Sequence, residues 1–140
     1  MKKILVLAAA IALVSSTAFA AGTATLTVSA TVTDTCTITG GTLAFGSLDP
    51  LVGAAVGPIA AAGVSVTCSN GTAFSVTDDS AANPLANGAS TIGFTLAHAG
   101  IGTGTGVAAP YAIAGSIPAG SYATALAGVY ASTVTLSVLP

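Results

Sequence analysis

The chain has 140 residues, of which 53 % are hydrophobic, 5 % are aromatic and only 4 % are charged. Disorder is excluded because disordered segments are charged and poor in apolar residues. Two Lys and four Asp, with no Arg or Glu, argue against nucleic-acid binding, which requires clustered basic side chains to neutralise phosphates. The one His leaves few groups for general acid-base chemistry. We therefore predict a single domain that is not an enzyme and needs no cofactor.

Residues 1–20 have the parts of a signal peptide. Met1-Lys2-Lys3 is a short basic start, an apolar run follows over residues 4–14, and Ala18-Phe19-Ala20 places small residues where signal peptidase cuts. The competing interpretation is a retained membrane anchor, but a run of roughly 11 apolar residues is shorter than the ~20 needed to span a bilayer. We predict cleavage after Ala20, secretion, and no membrane span afterwards. Cleavage removes both Lys and leaves 120 residues with four Asp, too little charge to oppose self-association.

The segment directly behind the cleavage site alternates apolar and hydroxyl residues over positions 23–33. This period of two predicts a β-strand. One face would carry Ala24, Leu26, Val28, Ala30 and Val32, and the other face would carry Thr and Ser. At about 3.3 Å per residue the strand would extend roughly 35 Å, which is long for a small domain.

The only two cysteines are Cys36 and Cys68. An even cysteine count behind a signal peptide predicts one disulfide, formed in an oxidising compartment such as the bacterial periplasm. A zinc site is disfavoured because the chain has a single His and no second Cys pair. A nucleophilic Cys is disfavoured because no basic side chain except His98 is present to lower its pKa.

The remaining chain is predicted to be short strands separated by turns. Strands are predicted over 36–39, 42–46, 63–68, 73–78, 91–98, 111–118 and 128–139, and loops over 47–62, 79–90 and 100–106. Asn70-Gly71 predicts a tight hairpin that joins the third and fourth of these strands. Apolar residues do not recur at helical spacing, so the pattern favours an all-β antiparallel sandwich or barrel.

Three features resemble catalytic or ligand-binding motifs, and for each of them a purely structural role is favoured. Asp78-Asp79 could belong to a cation site, but a turn at the end of a strand is favoured because few other carboxylates exist. His98 could be a catalytic base, although no partner can be identified from the sequence. Gly102-Thr103-Gly104-Thr105-Gly106 lacks the helix and Lys of a phosphate-binding loop, so we interpret it as a flexible turn. No metal site is predicted.

Several motifs resemble the spore coat protein U domain family. They are Cys36-Thr37-Ile38 with Leu43-Ala44-Phe45-Gly46, Val64-Ser65-Val66-Thr67-Cys68 with Phe74-Ser75-Val76, Gly115-Ser116-Ile117-Pro118-Ala119-Gly120, and Thr133-Val134-Thr135-Leu136-Ser137-Val138. Members of this family are subunits of archaic chaperone-usher pili and related secreted coat-like proteins. The resemblance implies an immunoglobulin-like antiparallel sandwich that lacks one strand, with the Cys36 and Cys68 disulfide inside it.

The resemblance also implies how the chain is organised and used. Residues 1–20 would be the signal peptide, 21–33 a donor-strand extension, and 34–140 the β-sandwich domain. A periplasmic chaperone and an outer-membrane usher would handle the subunit, and other copies or related pilins would polymerise with it by donor-strand exchange at the cell surface. Exposed strand edges are natural pairing sites for such a donor. Adhesion or biofilm formation would follow. The alternative is a monomeric secreted binding or coat protein whose N-terminal strand completes its own sandwich.

Overall fold

The computed structural model describes residues 22–140, so the predicted signal peptide lies outside the described residues. The chain divides into two units, with the boundary between Thr31 and Val32. Within the described part, the strands are β1 (Cys36–Thr39), β2 (Val56–Ala60), β3 (Ser65–Cys68), β4 (Ala73–Asp78), β5 (Leu85–Asn87), β6 (Ser90–Ile92), β7 (Thr95–His98), β8 (Ile101–Thr103), β9 (Ala109–Pro110), β10 (Ile113–Ile117) and β11 (Leu136–Leu139). One 3-10 turn, Ser80–Ala82, follows β4.

All the strand pairings are antiparallel, and they form an all-β, immunoglobulin-like sandwich. The first layer contains the sheets β1-β3-β9 and β2-β10-β7. The N–H of Ala61 donates to the carbonyl of Ile113 and the N–H of Tyr111 donates to the carbonyl of Val64. These bonds prolong the β2–β10 and β3–β9 ladders toward each other, so the two sheets follow one another along the same pair of chain segments. The second layer is the sheet β11-β4-β8, and β5 and β6 form a separate hairpin.

The predicted hairpin at Asn70-Gly71 is wrong. The strands on either side of it belong to different layers, because β3 pairs with β1 and β9 whereas β4 pairs with β11 and β8. A type I′ hairpin turn needs positive φ at both central residues. Only Gly71 has it, with φ +82°, and no residue other than glycine has positive φ in the described chain. The turn therefore carries the chain from one layer to the other.

Several segments with weak strand patterns form strands. The loops predicted over 47–62, 79–90 and 100–106 contain β2, β5 and β8. β2 and β8 each contain a glycine, which weakens the strand pattern of the sequence, and each glycine lies where a neighbouring group approaches closely. A Cβ at Gly57 would lie 2.5 Å from the carbonyl oxygen of Gly115, and a Cβ at Gly102 would collide with the ring of Phe74.

Other segments with strong strand patterns form little or no strand. The predicted strand over 42–46 makes only an isolated bridge from Thr42 to Ala62. The predicted strand over 91–98 is interrupted at Gly93 and Phe94, between β6 and β7. The predicted strand over 128–139 forms a strand only in its last four residues, as β11, and an isolated bridge from Ala131 to Ala86 before them.

Candidate functional site: an apolar gap in a divided core

The described core consists of two separate clusters of buried side chains. The first contains Val66, Cys68 and Val76, where β3 and β4 face each other across the layers. The second contains Ile92, Ile117 and Tyr122. Cores of small domains usually form one contiguous cluster, so the division is a departure that needs a structural explanation.

An apolar cavity of about 270 Å³ lies between the two clusters. It contacts members of both, since Ile38 packs against the first cluster whereas Phe45, Leu85 and Phe94 pack against the second. Val64 and Ile113 also line it and are buried, at 7 % and 4 % exposure. A void of this kind deprives the side chains around it of packing partners.

The cavity is bordered by two strands that each have an unpaired edge. β1 pairs only with β3, and β11 pairs only with β4, so each is the outer strand of its sheet within residues 22–140. The chain just after β1 (Gly40–Leu43) and the chain entering β11 (Ser132, Val134 and Leu136) both line the cavity. An added strand would hydrogen-bond to the unpaired backbone groups and would also fill the apolar cavity with its side chains.

A second, larger cavity of about 660 Å³ continues the first. The two share Leu43, Phe45 and Leu85, and the second extends along Gly46–Leu48 on one side and Ala125–Tyr130 on the other. The stretches beside both cavities include residues 42–46 and 128–135, whose sequence predicts strands that the single chain does not form. We call the two cavities together the groove.

The disulfide joins Cys36 to Cys68, as the sequence predicts. The two residues are direct cross-strand partners on β1 and β3, with their Cα atoms 4.1 Å apart. The bond therefore ties the outer strand β1, which borders the groove, to the middle strand of its sheet. Cys68 is also a member of the first core cluster.

The predicted strand over 23–33 is not formed in the single chain. Residues 22–35 carry no strand, and all of them are exposed. Among the apolar residues of the predicted donor face, Leu26, Val28 and Val32 are 86 %, 82 % and 88 % exposed, and Ala24 and Ala30 are exposed as well. A strand cannot exist without a neighbour that accepts and donates its backbone hydrogen bonds. We call residues 22–33 the extension.

The acidic pair and the His have structural contacts. The Nε2 atom of His98 lies 3.0 Å from Oδ2 of Asp78, and its Nδ1 atom lies 3.1 Å from the hydroxyl of Tyr111. Hydrogen bonds from Ser80 and then from His98 hold the pKa of Asp78 below its usual value. The Asp78 and His98 side chains are only 17 % and 11 % exposed, so this network joins β4 to β7 and offers little access to a substrate.

The neighbouring Asp79 accepts a hydrogen bond from the backbone N–H of Thr135 at 2.7 Å. It thereby fastens the turn after β4 to the segment that enters β11. Residues 22–140 contain no group of three or more His, Cys, Asp or Glu side chains that could hold a metal ion. They also contain no helix that is long and apolar enough to cross a membrane.

Comparison with models of known protein families gives one match. The family model of the Spore Coat Protein U domain matches residues 22–92. The chain belongs to the Spore Coat Protein U domain family. The match includes the extension and ends at the last residue of β6. No curated protein matches the chain.

Spore Coat Protein U domain proteins are secreted structural subunits of the chaperone-usher fimbrial or coat type, and they are not enzymes. The disulfide fits an extracellular protein. The groove and the extension are therefore the features from which a more specific function of this chain can be argued.

Proposed function

We propose that this chain is a secreted subunit of a chaperone-usher pilus or coat-like surface fibre, and that it polymerises by donor-strand exchange. The extension of one copy would enter the groove of the next. The observation that carries the proposal is the divided core, whose gap is apolar and bordered by two unpaired strand edges.

The extension has the chemistry that the groove requires. Its apolar residues are two positions apart, so in an extended strand they all point to one face. That face would pack between the two core clusters, while the Thr and Ser residues on the other face would remain in water. Its backbone would pair with the chain that continues from β1 (Gly40–Leu43) and with the chain that enters β11, both of which line the groove. Because the contact is head-to-tail, it does not close and it generates a fibre.

Strand register supports one direction of insertion. Cys36 pairs with Cys68 and Leu139 pairs with Ser75, and the turn at 69–72 joins these two partners. The start of β1 and the end of β11 therefore lie at one end of the domain, which we call the root end. The second cavity, with Leu48 and Leu126, extends away from it and marks the far end.

The extension of each copy joins its domain at the root end, through Val32. A donor antiparallel to β11 would bring its own Val32 to the far end of the acceptor, so that its body lies beyond that end. A donor parallel to β11 would bring a second body to the root end, where the acceptor's own extension leaves. Antiparallel insertion alone gives a linear fibre without that collision.

In the cell, a groove of this kind must be covered before assembly because exposed apolar surface and open strand edges promote aggregation. A periplasmic chaperone would cover it, and an outer-membrane usher would exchange the chaperone for the extension of the next copy. Fibres at the cell surface would then support adhesion or biofilm formation.

The test is the oligomeric state of residues 21–140 after refolding, measured by size-exclusion chromatography with light scattering. We expect polymers from this chain and monomers after deletion of residues 21–32. The control keeps the composition of 23–32 but reorders it so that the alternation is lost, and it should also remain monomeric. A stable monomer that is insensitive to the deletion would contradict the proposal and favour a self-completed monomeric protein.

A further inference from the structure

The residues that connect the extension to the domain are held by an array of hydrogen bonds. The backbone N–H of Thr35 donates to the hydroxyl of Ser69 at 3.2 Å, and that hydroxyl lies 3.3 Å from the carbonyl oxygen of Thr33. The backbone N–H of Ser69 donates to the carbonyl of Thr35 at 2.9 Å. The hydroxyl of Thr72 donates to the carboxylate of Asp34 at 2.7 Å.

Thr72 is unusual in its burial. Among the described residues it is the one polar residue in the buried class, at 5 % exposure, whereas its partner Asp34 is exposed. Hydrogen bonds from a buried hydroxyl to a carboxylate are short and strong because one partner is charged. A buried hydroxyl without a partner would be costly, so Thr72 holds Asp34 firmly. We call Ser69, Thr72 and the residues Thr33–Thr35 that they bind the root clamp.

The turn that carries Ser69 and Thr72 is itself fixed to the domain. The N–H of Gly104 donates to the carbonyl of Thr72 at 2.7 Å, and the carbonyl of Gly104 accepts from the N–H of Gly71 at 2.9 Å. The N–H of Thr72 also closes the turn onto the carbonyl of Ser69 at 3.0 Å. A fixed turn therefore holds residues 33–35, which directly precede the first residue of β1, the disulfide-bonded Cys36.

We propose that Ser69 and Thr72 are positioning residues that fix the direction in which the extension leaves each subunit, and that they thereby set the stiffness of the fibre. This inference rests on the proposed function, because a fixed direction matters only when the extension is seated in another copy. Without the clamp, residues 33–35 would be a short flexible linker between two neighbouring domains. With the clamp, the chain is fixed to its own domain from Thr33 onward, directly after the residues that are seated in the next copy.

The test compares fibres of the parent chain with fibres of a Ser69→Ala, Thr72→Val variant by electron microscopy, and it measures their persistence length. We expect a decrease of about twofold or more, since three residues are released as a linker between each pair of domains. Thr37→Val is the matched control. It removes an exposed hydroxyl on β1 whose one hydrogen bond within residues 22–140 is a long one, 3.5 Å, to the carbonyl of Thr67, and it should leave the persistence length unchanged.

A second measurement separates positioning from general damage to the domain. A synthetic peptide of residues 22–33 is titrated into the same variants carrying Leu26→Asp and Val28→Asp, which cannot act as donors. We expect the peptide affinity of the clamp variant to equal that of the parent, because the clamp lies outside the groove. Parent-like affinity with unchanged stiffness would overturn this inference and leave the proposed function intact. Failure of the parent groove to bind the peptide would overturn both.

If the double variant does not fold, Asp34→Ala tests the same contact from its exposed side. It removes the acceptor of Thr72 without changing a residue of the turn. More flexible fibres with parent-like peptide affinity support the clamp, and fibres as stiff as those of the parent refute it.

Discussion

Replacing Leu26 and Val28 by Asp should abolish assembly through loss of apolar burial. Both side chains are more than four-fifths exposed in the single chain, so nearly all of their apolar surface is free to be buried in a groove. Full burial of a Leu or Val side chain contributes about 1.5–3 kcal/mol, or about 3–6 kcal/mol for the two. Each 1.4 kcal/mol is a factor of ten, so the affinity should fall about 10²- to 10⁴-fold. Placing carboxylates in an apolar gap would weaken it further.

The assay is isothermal titration calorimetry. Peptides of residues 22–33 are titrated into a chain that carries Leu26→Asp and Val28→Asp and therefore cannot act as a donor itself. The matched control is a peptide with Thr25→Asp and Thr27→Asp, which adds equal charge on the opposite face. We expect the control peptide to bind within a few-fold of the parent peptide, since its carboxylates would remain in water. Equal loss for both peptides would show that charge alone, and not the apolar face, determines binding. Normal fibres from the Leu26 and Val28 double variant in cells would refute the reasoning as well.

Three further predictions concern the domain itself. Replacing Cys36 and Cys68 by Ala should lower the free energy of unfolding by about 3.5 kcal/mol, the chain-entropy value for a loop of this length, as measured by urea denaturation. Gly115→Ala should weaken binding of the 22–33 peptide while Gly93→Ala should not, because a Cβ at Gly115 would lie 2.7 Å from the side chain of Leu43 on the groove and a Cβ at Gly93 would lie in open space. The lowered pKa of Asp78 contributes stability that is present above its unfolded value near 3.8 and is lost as the pH falls through the lower folded value. Asp78→Asn should therefore reduce the acid dependence of the melting temperature below pH 4, and an unchanged dependence would refute this assignment.

Sequence patterning predicts the strands that pair within the chain and have a clear apolar face. β1, β3, β4 and β10 lie where alternation places them, and β10 shows buried residues at every second position. The pattern does not reveal which strands become neighbours. Asn70-Gly71 has the composition of a hairpin turn, but β3 and β4 belong to different sheets. Their buried side chains, Val66 and Val76, pack in the same core cluster between the layers.

The wrong strand predictions over 42–46 and 128–135 have a different cause. The alternation of apolar and polar residues indicates which face of a segment can be buried, whereas a strand also requires a backbone hydrogen-bonding partner. Both segments lie beside the groove, where each finds only an isolated bridge within the single chain, from Thr42 to Ala62 and from Ala131 to Ala86. The same holds for the extension, whose alternation is the clearest in the sequence and whose strand is absent. The root clamp cannot be recognised in the sequence, because Thr72 and Asp34 are 38 positions apart and their proximity depends on the register of β1 against β3.

The divided core has a mechanical consequence for a fibre assembled as proposed. A strand seated lengthwise in the groove would be pulled along its own axis when the fibre is stretched. All of its backbone hydrogen bonds would then be sheared together instead of being opened one after another. The resistance of the fibre to tension would then depend on the rate at which a whole strand slides out of the groove. Fibres could rarely break even if the equilibrium affinity of the extension for the groove were modest.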